Sequence, residues 1–337
     1  PYKLGAMVLS ISPEKTITYM SKEEGLVQIS AKAIILAMGC RERPKGALNI
    51  AGSRPAGIYS AGTAQKLVNI EGYMPGKNVV ILGSGDIGLI MARRMKLEGA
   101  NVLGVAELMP YSNGLNRNIV QCLEDFDIPL YLSHTVKKVI GKERLEEVII
   151  QKVDEKFNFI EGTEKEFDVD TLLLSVGLIP SNKLIQEIGV ELHPVTRGPI
   201  VDDCYQTSIK GIFSCGNSLH VHDLVDYVTE ESKKVGYFAA KFIKNELETY
   251  NKIKVTNGSG INYVLPNSIN SNSNRDVDLY FRVKLPHKTC YLYLFVDNLL
   301  IKKYKKTYLI PSEMEHIKVS KDLLKQANEI RLEVHDE

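Results

Sequence analysis

The stretch VVILGSGDIGLIMARRM, residues 79–95, decides the fold predicted for this chain. It consists of an apolar strand, a turn that contains three glycines, and an amphipathic helix. In such a turn the first glycine allows the tight bend, the second lets the backbone approach a pyrophosphate, and the third lets the helix pack close to the strand. The helix N-terminus would offer free N–H groups to the phosphates. The predicted contacts to a dinucleotide are Gly83, Gly85, Asp86, Ile87 and Gly88.

An acidic residue indicates which dinucleotide would bind. Glu107 ends the next predicted strand, 19 residues after Gly88. A carboxylate at this place accepts hydrogen bonds from a ribose 2′-hydroxyl and repels a 2′-phosphate. No basic residue follows in Leu108–Pro110, so the sequence favours NAD over NADP. A fold of this kind that has lost its ligand remains the alternative.

Predicted strands and helices alternate from Lys77 to Pro180, which is typical of one doubly wound nucleotide-binding domain. We predict an NAD-binding domain at residues 72–180, and Gly177, after its last apolar strand, is a further predicted NAD contact. Short strands precede this domain. After it, GIFSCGN (211–217) predicts a buried strand, and a long helix is expected from near Asp223 to about Glu246.

The C-terminal part of the sequence changes character twice. Residues 254–275 are rich in Asn, Ser and Gly, which predicts a linker. Residues 276–337 then alternate between apolar and polar side chains, which predicts a small, mostly antiparallel β domain without a catalytic constellation. We expect this domain to serve interaction or dimerisation.

Composition excludes several classes of protein. The 337 residues suggest two or three domains, and a net charge of +1 gives no footprint for nucleic acid. No apolar run approaches the ~20 residues of a spanning helix, so no membrane insertion is expected. The five cysteines are far apart and form no CxxC pair, which favours reduced thiols and a cytoplasmic location.

Two further strands carry a resemblance to a known family. AIILAMGCRERP (33–44) and TLLLSVGLIP (171–180) are each a buried strand that ends in glycine, with proline soon after. Together with GIFSCGN, this layout resembles the two-dinucleotide flavoproteins of the pyridine nucleotide–disulfide oxidoreductase superfamily, in which an NAD domain is inserted into an FAD domain. The resemblance implies an α/β, Rossmann-like two-dinucleotide-binding fold, with a partial FAD domain at 1–71 and 181–253. It implies FAD contacts at Ala37, Met38, Gly39, Gly216 and Asn217.

The segments AMGCRERP, PAGIYSAGTAQKLVN and GNSLHVHDLVDYVTEES are similar to the alpha subunits of opine and sarcosine oxidases and to NAD(FAD)-dependent dehydrogenases associated with glycerol 3-phosphate oxidation. This resemblance implies hydride transfer between NAD(H) and FAD. Electrons would then pass to a small-molecule substrate or to a partner, either a second flavoprotein or an electron-transfer subunit. We also expect a homo-oligomer. The alternative from another class is a non-catalytic NAD-binding or assembly subunit.

Three departures limit what the resemblance implies. The family begins with an FAD-binding glycine turn that has no counterpart here, so we expect this sequence to be a fragment of a longer enzyme. The usual Asp of the second flavin strand is Asn217, which brings hydrogen bonds without charge. In place of the redox CxxC of thioredoxin reductases stands Ser60-Ala61-Gly62-Thr63, which argues against disulfide reductase chemistry.

His220 and His222 are the candidate catalytic residues, because a histidine beside the flavin strand is able to shuttle the proton that accompanies hydride transfer. The favoured interpretation is plainer: the turn caps the following helix, with Asp223 as N-cap. No third ligand lies nearby in sequence, so no metal site is predicted.

Two cysteines and a basic segment have structural interpretations. Cys215, inside a buried strand, is expected to be a core residue, and packing is also the favoured role of Cys40. The lysines of KKYKK (302–306) are expected to protect a sheet edge.

Overall fold

Contacts within the chain divide it into two units, one formed by Pro1–Cys40 with Pro180–Glu337 and the other by Arg41–Ile179. The computed structural model describes residues 2–247, 251–325 and 327–337. The predicted flavin-domain residues 1 and 248–250, and residue 326 of the predicted C-terminal domain, lie outside the described residues.

The first unit begins with a three-stranded antiparallel sheet whose strands follow one another in the sequence. A short buried strand comes next, within the apolar run AIILAMG. The four strands are β1 (Ala6–Ile11), β2 (Thr16–Ser21), β3 (Gly25–Ser30) and β4 (Ile34–Leu36).

From Cys40 to Pro180 the chain forms eleven strands and three helices. The strands are β5 (Cys40–Glu42), β6 (Ala51–Gly52), β7 (Ile58–Ser60), β8 (Asn78–Leu82), β9 (Asn101–Glu107), β10 (Leu130–Leu132), β11 (His134–Gly141), β12 (Leu145–Lys152), β13 (Lys165–Asp168), β14 (Thr171–Leu174) and β15 (Leu178–Pro180). The helices are α1 (Ala61–Lys66), which continues as a π-helical turn Leu67–Glu71, α2 (Asp86–Leu97) and α3 (Asn116–Cys122).

A parallel sheet in the order β10-β9-β8-β14-β7 forms the centre of the second unit. Both faces of β8 are buried, which explains its continuous apolar sequence. Val79 and Ile81 pack with the three helices, whereas Val80 and Leu82 pack with a second sheet in the order β13-β12-β11-β6. The domain therefore differs from a doubly wound one. One face of the parallel sheet is covered by the β11–β12 hairpin and its neighbours instead of helices.

The remainder of the first unit brings a second parallel strand beside β4. It contains helix α4 (Lys183–Gln186), strand β16 (Ile212–Ser214) and the long helix α5 (Val225–Ile243). Strand β16 pairs with β4 in parallel, with Ile212 opposite Ile34 and Ser214 opposite Leu36. Segments 178 residues apart in the chain thus lie side by side (212 − 34), and their carboxyl ends meet at the same edge.

The C-terminal region consists of two sheets around one apolar core. Its strands are β17 (Lys252–Asn257), β18 (Ile261–Leu265), β19 (Ser268–Asn270), β20 (Val277–Val283), β21 (Cys290–Val296), β22 (Leu299–Lys306), β23 (Glu315–Val319) and β24 (Glu329–Asp336). The sheet orders are β19-β17-β24-β21-β22 and β18-β20-β23. All these pairings are antiparallel except that of β17 with β24.

The segment expected to be a linker, 254–275, instead contains most of β17 and the whole of β18 and β19. Its few apolar side chains, such as Ile261 and Ile269, are buried in the β core. The Asn and Ser residues that suggested a linker lie at the turns, where Asn257, for example, donates to the carbonyl of Ile261 over 3.1 Å. Composition therefore reflected tight turns between short strands.

The fold is thus of the α/β class, with Rossmann-type parallel strands followed by a β region at the C-terminus. Among the described residues, no helix combines the length and the apolar character needed to cross a membrane.

Candidate cofactor sites

The first candidate site is the glycine turn between β8 and α2. Gly83 has φ +101°, and a Cβ atom there would lie 2.0 Å from the carbonyl oxygen of Ser175. At Gly88 a Cβ atom would lie 2.3 Å from the carbonyl oxygen of Gly83. Both positions accept glycine alone, because side chains would collide with neighbouring backbone. The helix therefore starts in close contact with the strand.

Gly85 differs from the other two glycines. It is the N-cap of α2, with φ −67° and ψ 164°, and a Cβ atom there would meet nothing within 4 Å. No side chain of the described residues caps this helix. The first turn of a twelve-residue helix thus presents its N–H groups and partial positive charge to an open space, which suits a phosphate.

Asp86 and Ile87 follow in the first helical turn. The carboxylate of Asp86 accepts hydrogen bonds from the N–H of Leu115 over 2.9 Å and from Nδ2 of Asn118 over 2.7 Å. Asp86 therefore holds the start of α3 beside the glycine turn, while Ile87 is partly exposed.

Glu107 lies at the end of β9 and is buried, with 4% of its surface exposed. One carboxylate oxygen accepts from the N–H and Oγ of Ser84 over 2.9 and 2.7 Å, and the other accepts from the N–H of Met109 over 2.9 Å. The carboxylate is anchored beside the turn, and of its roughly four acceptor positions one stays open for a further donor. Gly177, with φ +94° and open space around it, follows the neighbouring strand β14.

The second candidate site follows the paired strands β4 and β16. Ala37, Met38 and Gly39 come directly after β4, and Gly216 and Asn217 come just after β16. Gly39 and Gly216 both have positive φ, +69° and +65°. The side chain of Asn217 accepts the N–H of His222 over 3.0 Å and donates to Sγ of Cys40 over 3.6 Å. The structure thus brings all five predicted flavin contacts to one edge of one unit.

A buried carboxylate joins the two predicted catalytic histidines. Oε2 of Glu231 lies 3.1 Å from Nε2 of His220, and Oε1 lies 3.2 Å from Nε2 of His222. The N–H of Gly216 also donates to Oε1 over 2.6 Å. These three side chains are only 1–2% exposed. The cluster therefore connects the predicted flavin turn to the interior of helix α5.

Burial and hydrogen bonding have opposite effects on the charges of this cluster. Burial alone would raise the pKa of Glu231, but the hydrogen bonds from His220 and His222 prevail and lower it to about 2. Burial lowers the pKa of His220, and the nearby Glu231 only partly opposes this. A charged carboxylate beside a neutral His220 is the resulting state near neutral pH.

The capping role predicted for Asp223 is wrong. Helix α5 begins at Val225 with Leu224 as its N-cap, and no side chain of the described residues caps it. The carboxylate of Asp223 instead forms an ion pair with Arg282 and accepts the N–H of Met314 over 2.7 Å. A buried guanidinium attracts the carboxylate more strongly than the helix N-terminus does.

Sequence reasoning missed Glu231, Tyr263 and Arg282. One signal was present: Glu231, Val235, Phe238 and Ala239 share the buried stripe of α5, and a charged residue on such a stripe indicates a buried partner. Tyr263 and Arg282 are opposite each other on β18 and β20, a pairing that the sequence does not announce.

The remaining structural interpretations agree with the structure. Cys215 is buried in the core of the first unit. Strand β22, which carries the lysines of 302–306, lies at the edge of its sheet.

Comparisons with known proteins identify the first 234 residues. Residues 2–234 match the family described as pyridine nucleotide-disulphide oxidoreductase. The NADH oxidase of Methanocaldococcus jannaschii is 31% identical over 161 residues, which cover 46% of this chain and 32% of the relative. One component of the opine oxidase of Agrobacterium tumefaciens is 24% identical over 201 residues, which cover 56% of this chain and 39% of the relative. The chain spans about a third of the length of these curated relatives.

Solved structures share the fold. The thioredoxin reductase of T. acidophilum has a TM-score of 0.57 at 23% identity, covering 72% of this chain and 75% of that one. An FAD-dependent pyridine nucleotide-disulphide oxidoreductase from Desulfovibrio vulgaris has a TM-score of 0.52 at 18% identity, covering 82% and 68%. Proteins of this family use FAD and NAD(P)H. With a family match over most of its length, this chain belongs to the pyridine nucleotide-disulphide oxidoreductases.

Proposed function

We propose that this chain is part of an FAD- and NAD-dependent oxidoreductase in which hydride passes between NAD(H) and FAD. The observation that carries the proposal is the turn at Gly83–Gly88, where two glycines are required by close backbone contacts and the third, Gly85, lies beside open space. Family membership supports the same class of reaction.

The residues present suit both cofactors. Gly83, Gly85 and the first turn of α2 would hold the pyrophosphate of NAD, with Ile87 and Gly88 behind it and Gly177 on the next strand. Ala37–Gly39 and Gly216–Asn217 would hold FAD, because ligands of parallel sheets bind at the carboxyl ends of the strands. When bound, nicotinamide supplies or accepts a hydride and the flavin accepts or returns it. The chain itself provides position, hydrogen bonds and, at His220 and His222, a place for a proton.

Electrons would then leave to a small-molecule substrate or to a second protein in a cytoplasmic, homo-oligomeric assembly. The opine oxidase relative is named as one of several components of its enzyme, which supports the second destination. The alternative is an NAD-binding assembly protein without flavin. A flavin absorption band that NADH bleaches separates the enzyme from this alternative, which would bind NADH and stay colourless.

Replacing Gly85 by alanine should weaken NADH binding at least tenfold and leave stability unchanged within about 0.5 kcal/mol. The new methyl group meets nothing in the protein, and φ is already negative, so the fold accepts it. A pyrophosphate on the helix N-terminus would collide with it. NADH fluorescence titration and urea unfolding measure the two effects.

Gly46→Ala is the matched control, because Gly46 lies in the same unit and also has open space around its Cβ position. It should change neither affinity nor stability. Wild-type NADH affinity in Gly85→Ala would contradict the placement of the pyrophosphate.

Glu107→Gln should lower the preference for NADH over NADPH about tenfold. The uncharged amide no longer repels a 2′-phosphate and is a weaker acceptor for a ribose hydroxyl, and a hydrogen bond to a charged group contributes about 1.5–3 kcal/mol. Parallel titrations with both nucleotides give the ratio. Glu98→Gln, an exposed glutamate at the end of α2, is the control. An unchanged ratio in Glu107→Gln would remove the ribose role.

A further inference from the structure

The starting point is Arg282, a guanidinium on β20 whose side chain is only 13% exposed. An arginine has five N–H donors and no acceptor. Here every donor has a partner: Nε donates to the hydroxyl of Tyr263 over 3.2 Å, Nη1 to the carbonyls of Pro311 and Ser312, and Nη2 to the carbonyl of Val221 and the carboxylate of Asp223. The guanidinium is therefore fixed in one orientation.

The fixed guanidinium decides the direction of the next hydrogen bond. Since Nε of Arg282 is always a donor, the hydroxyl oxygen of Tyr263 accepts from it and keeps its own proton to give. Burial raises the pKa of Tyr263, so the phenol is protonated near neutral pH. The remaining partner of the hydroxyl is Nδ1 of His220, 3.3 Å away. Tyr263 thus donates to Nδ1.

The histidine protons follow from this. In a neutral His220 that accepts at Nδ1, the proton lies on Nε2 and is donated to Oε2 of Glu231. Nε2 of His222 faces the other oxygen of the same carboxylate and also donates. Of the four ring nitrogens, three are then engaged. The fourth, Nδ1 of His222, is buried and has no hydrogen-bond partner among the described residues.

We propose that Tyr263 and Arg282 are positioning residues that lock His220 as the neutral Nε2–H tautomer and leave Nδ1 of His222 as the nitrogen through which this cluster takes up a proton. Both positioning residues lie beyond residues 2–234, the part that matches the family. The C-terminal β region thereby acquires a role in the chemistry of the family-like part. The lock stands on geometry alone, whereas its use during hydride transfer rests on the proposed function.

A metal ion is the competing occupant of this cluster, since the ligand atoms of His220, His222 and Glu231 lie within 4.8 Å of one another. A metal on Nε2 of His220 would move the proton to Nδ1, facing the Tyr263 hydroxyl. That hydroxyl would then accept from both neighbours, His220 and Arg282, and neither would accept its own proton. The hydrogen-bond directions favour the locked tautomer.

Nitrogen NMR tests the lock on protein with ¹⁵N-labelled histidines, of which the chain has seven. His220→Asn and His222→Asn assign the two signals. We expect His220 to show a protonated Nε2 and a hydrogen-bonded Nδ1. On lowering the pH, His222 should protonate first. The groups that face His220 are Glu231, His222, Tyr263, Tyr280 and Arg282.

Tyr263→Phe keeps the ring and removes the hydroxyl, so the Nδ1 signal of His220 should move downfield to that of an unbonded nitrogen. Tyr280→Phe is the matched control, because the Tyr280 ring also packs near His220 but its hydroxyl pairs with Lys234. It should leave His220 unchanged.

A wild-type His220 protonated at Nδ1, displacement of its Nε2 proton by stoichiometric Zn²⁺, or an unmoved Nδ1 signal in Tyr263→Phe would each overturn the lock. His220 protonating before His222 would overturn the assignment of the proton entry. These spectra need no cofactor. Failure of NADH or FAD binding with an intact NMR pattern would therefore count against the proposed function alone.

Discussion

Replacing Glu231 by alanine should lower the free energy of unfolding of the first unit by about 3–5 kcal/mol, because removal of one partner from a buried charged cluster leaves the others unsatisfied. Three donors face its carboxylate: the imidazoles of His220 and His222 and the N–H of Gly216. In the alanine variant all three would be buried without an acceptor. Urea unfolding followed by circular dichroism measures the loss.

Glu230→Ala is the matched control, since this neighbouring glutamate on the same helix is exposed. The two variants share the change in helix propensity and the loss of one charge. Glu230→Ala should stay within about 0.5 kcal/mol of the wild type. Equal effects of the two substitutions would mean that the cluster contributes nothing to stability.

The pH dependence of this loss has a definite sign. The pKa of Glu231 is lowered to about 2 from 4.5, so the carboxylate stabilises the folded state fully above its ordinary pKa, and the contribution disappears as the pH falls towards 2. The lowered pKa of His220 acts in the same direction, since the unfolded chain takes up that proton more readily. The difference between wild type and Glu231→Ala should therefore shrink in acid. A difference that grows below pH 4.5 would contradict the assigned charge states.

The parts of this molecule that local sequence determines were accessible from the sequence. The turn at Gly83–Gly88 has its own chemistry, and its strand, glycines and helix are contiguous. The pairing of β4 with β16 also followed from the sequence, because two buried strands that end in glycine have few places to go in an α/β fold.

Features that depend on distant contacts were not accessible. The third member of the histidine cluster, Glu231, comes from the helix that follows, and only its position on a buried stripe marked it. Asp223 was assigned to the nearest helix N-terminus, yet its partner Arg282 lies 59 residues away on another strand. Long-range ion pairs override local capping preferences in such cases. The β11–β12 sheet over the nucleotide-binding strands was missed for the same reason.

Gly83→Ala should lower the free energy of unfolding of the second unit by about 4 kcal/mol or more, which is at the severe end for a single substitution. The residue has φ +101°, and the added Cβ would lie 2.0 Å from the carbonyl oxygen of Ser175. The backbone has little room to yield. The N–H of Gly83 donates to Ala106 over 2.7 Å on one side, and Leu82 accepts from Ser175 over 2.7 Å on the other.

Gly85→Ala, two residues along the same turn, separates this strain from any general effect of a larger side chain in the turn. It should unfold at the wild-type urea concentration, whereas Gly83→Ala should unfold much earlier or fail to accumulate as folded protein. A Gly83→Ala variant as stable as Gly85→Ala would show that β8 and β14 are not held together at this point as the structure has them. The site for the pyrophosphate would then lose its support, because the opening at Gly85 exists only while the strand, the turn and α2 keep their present contacts.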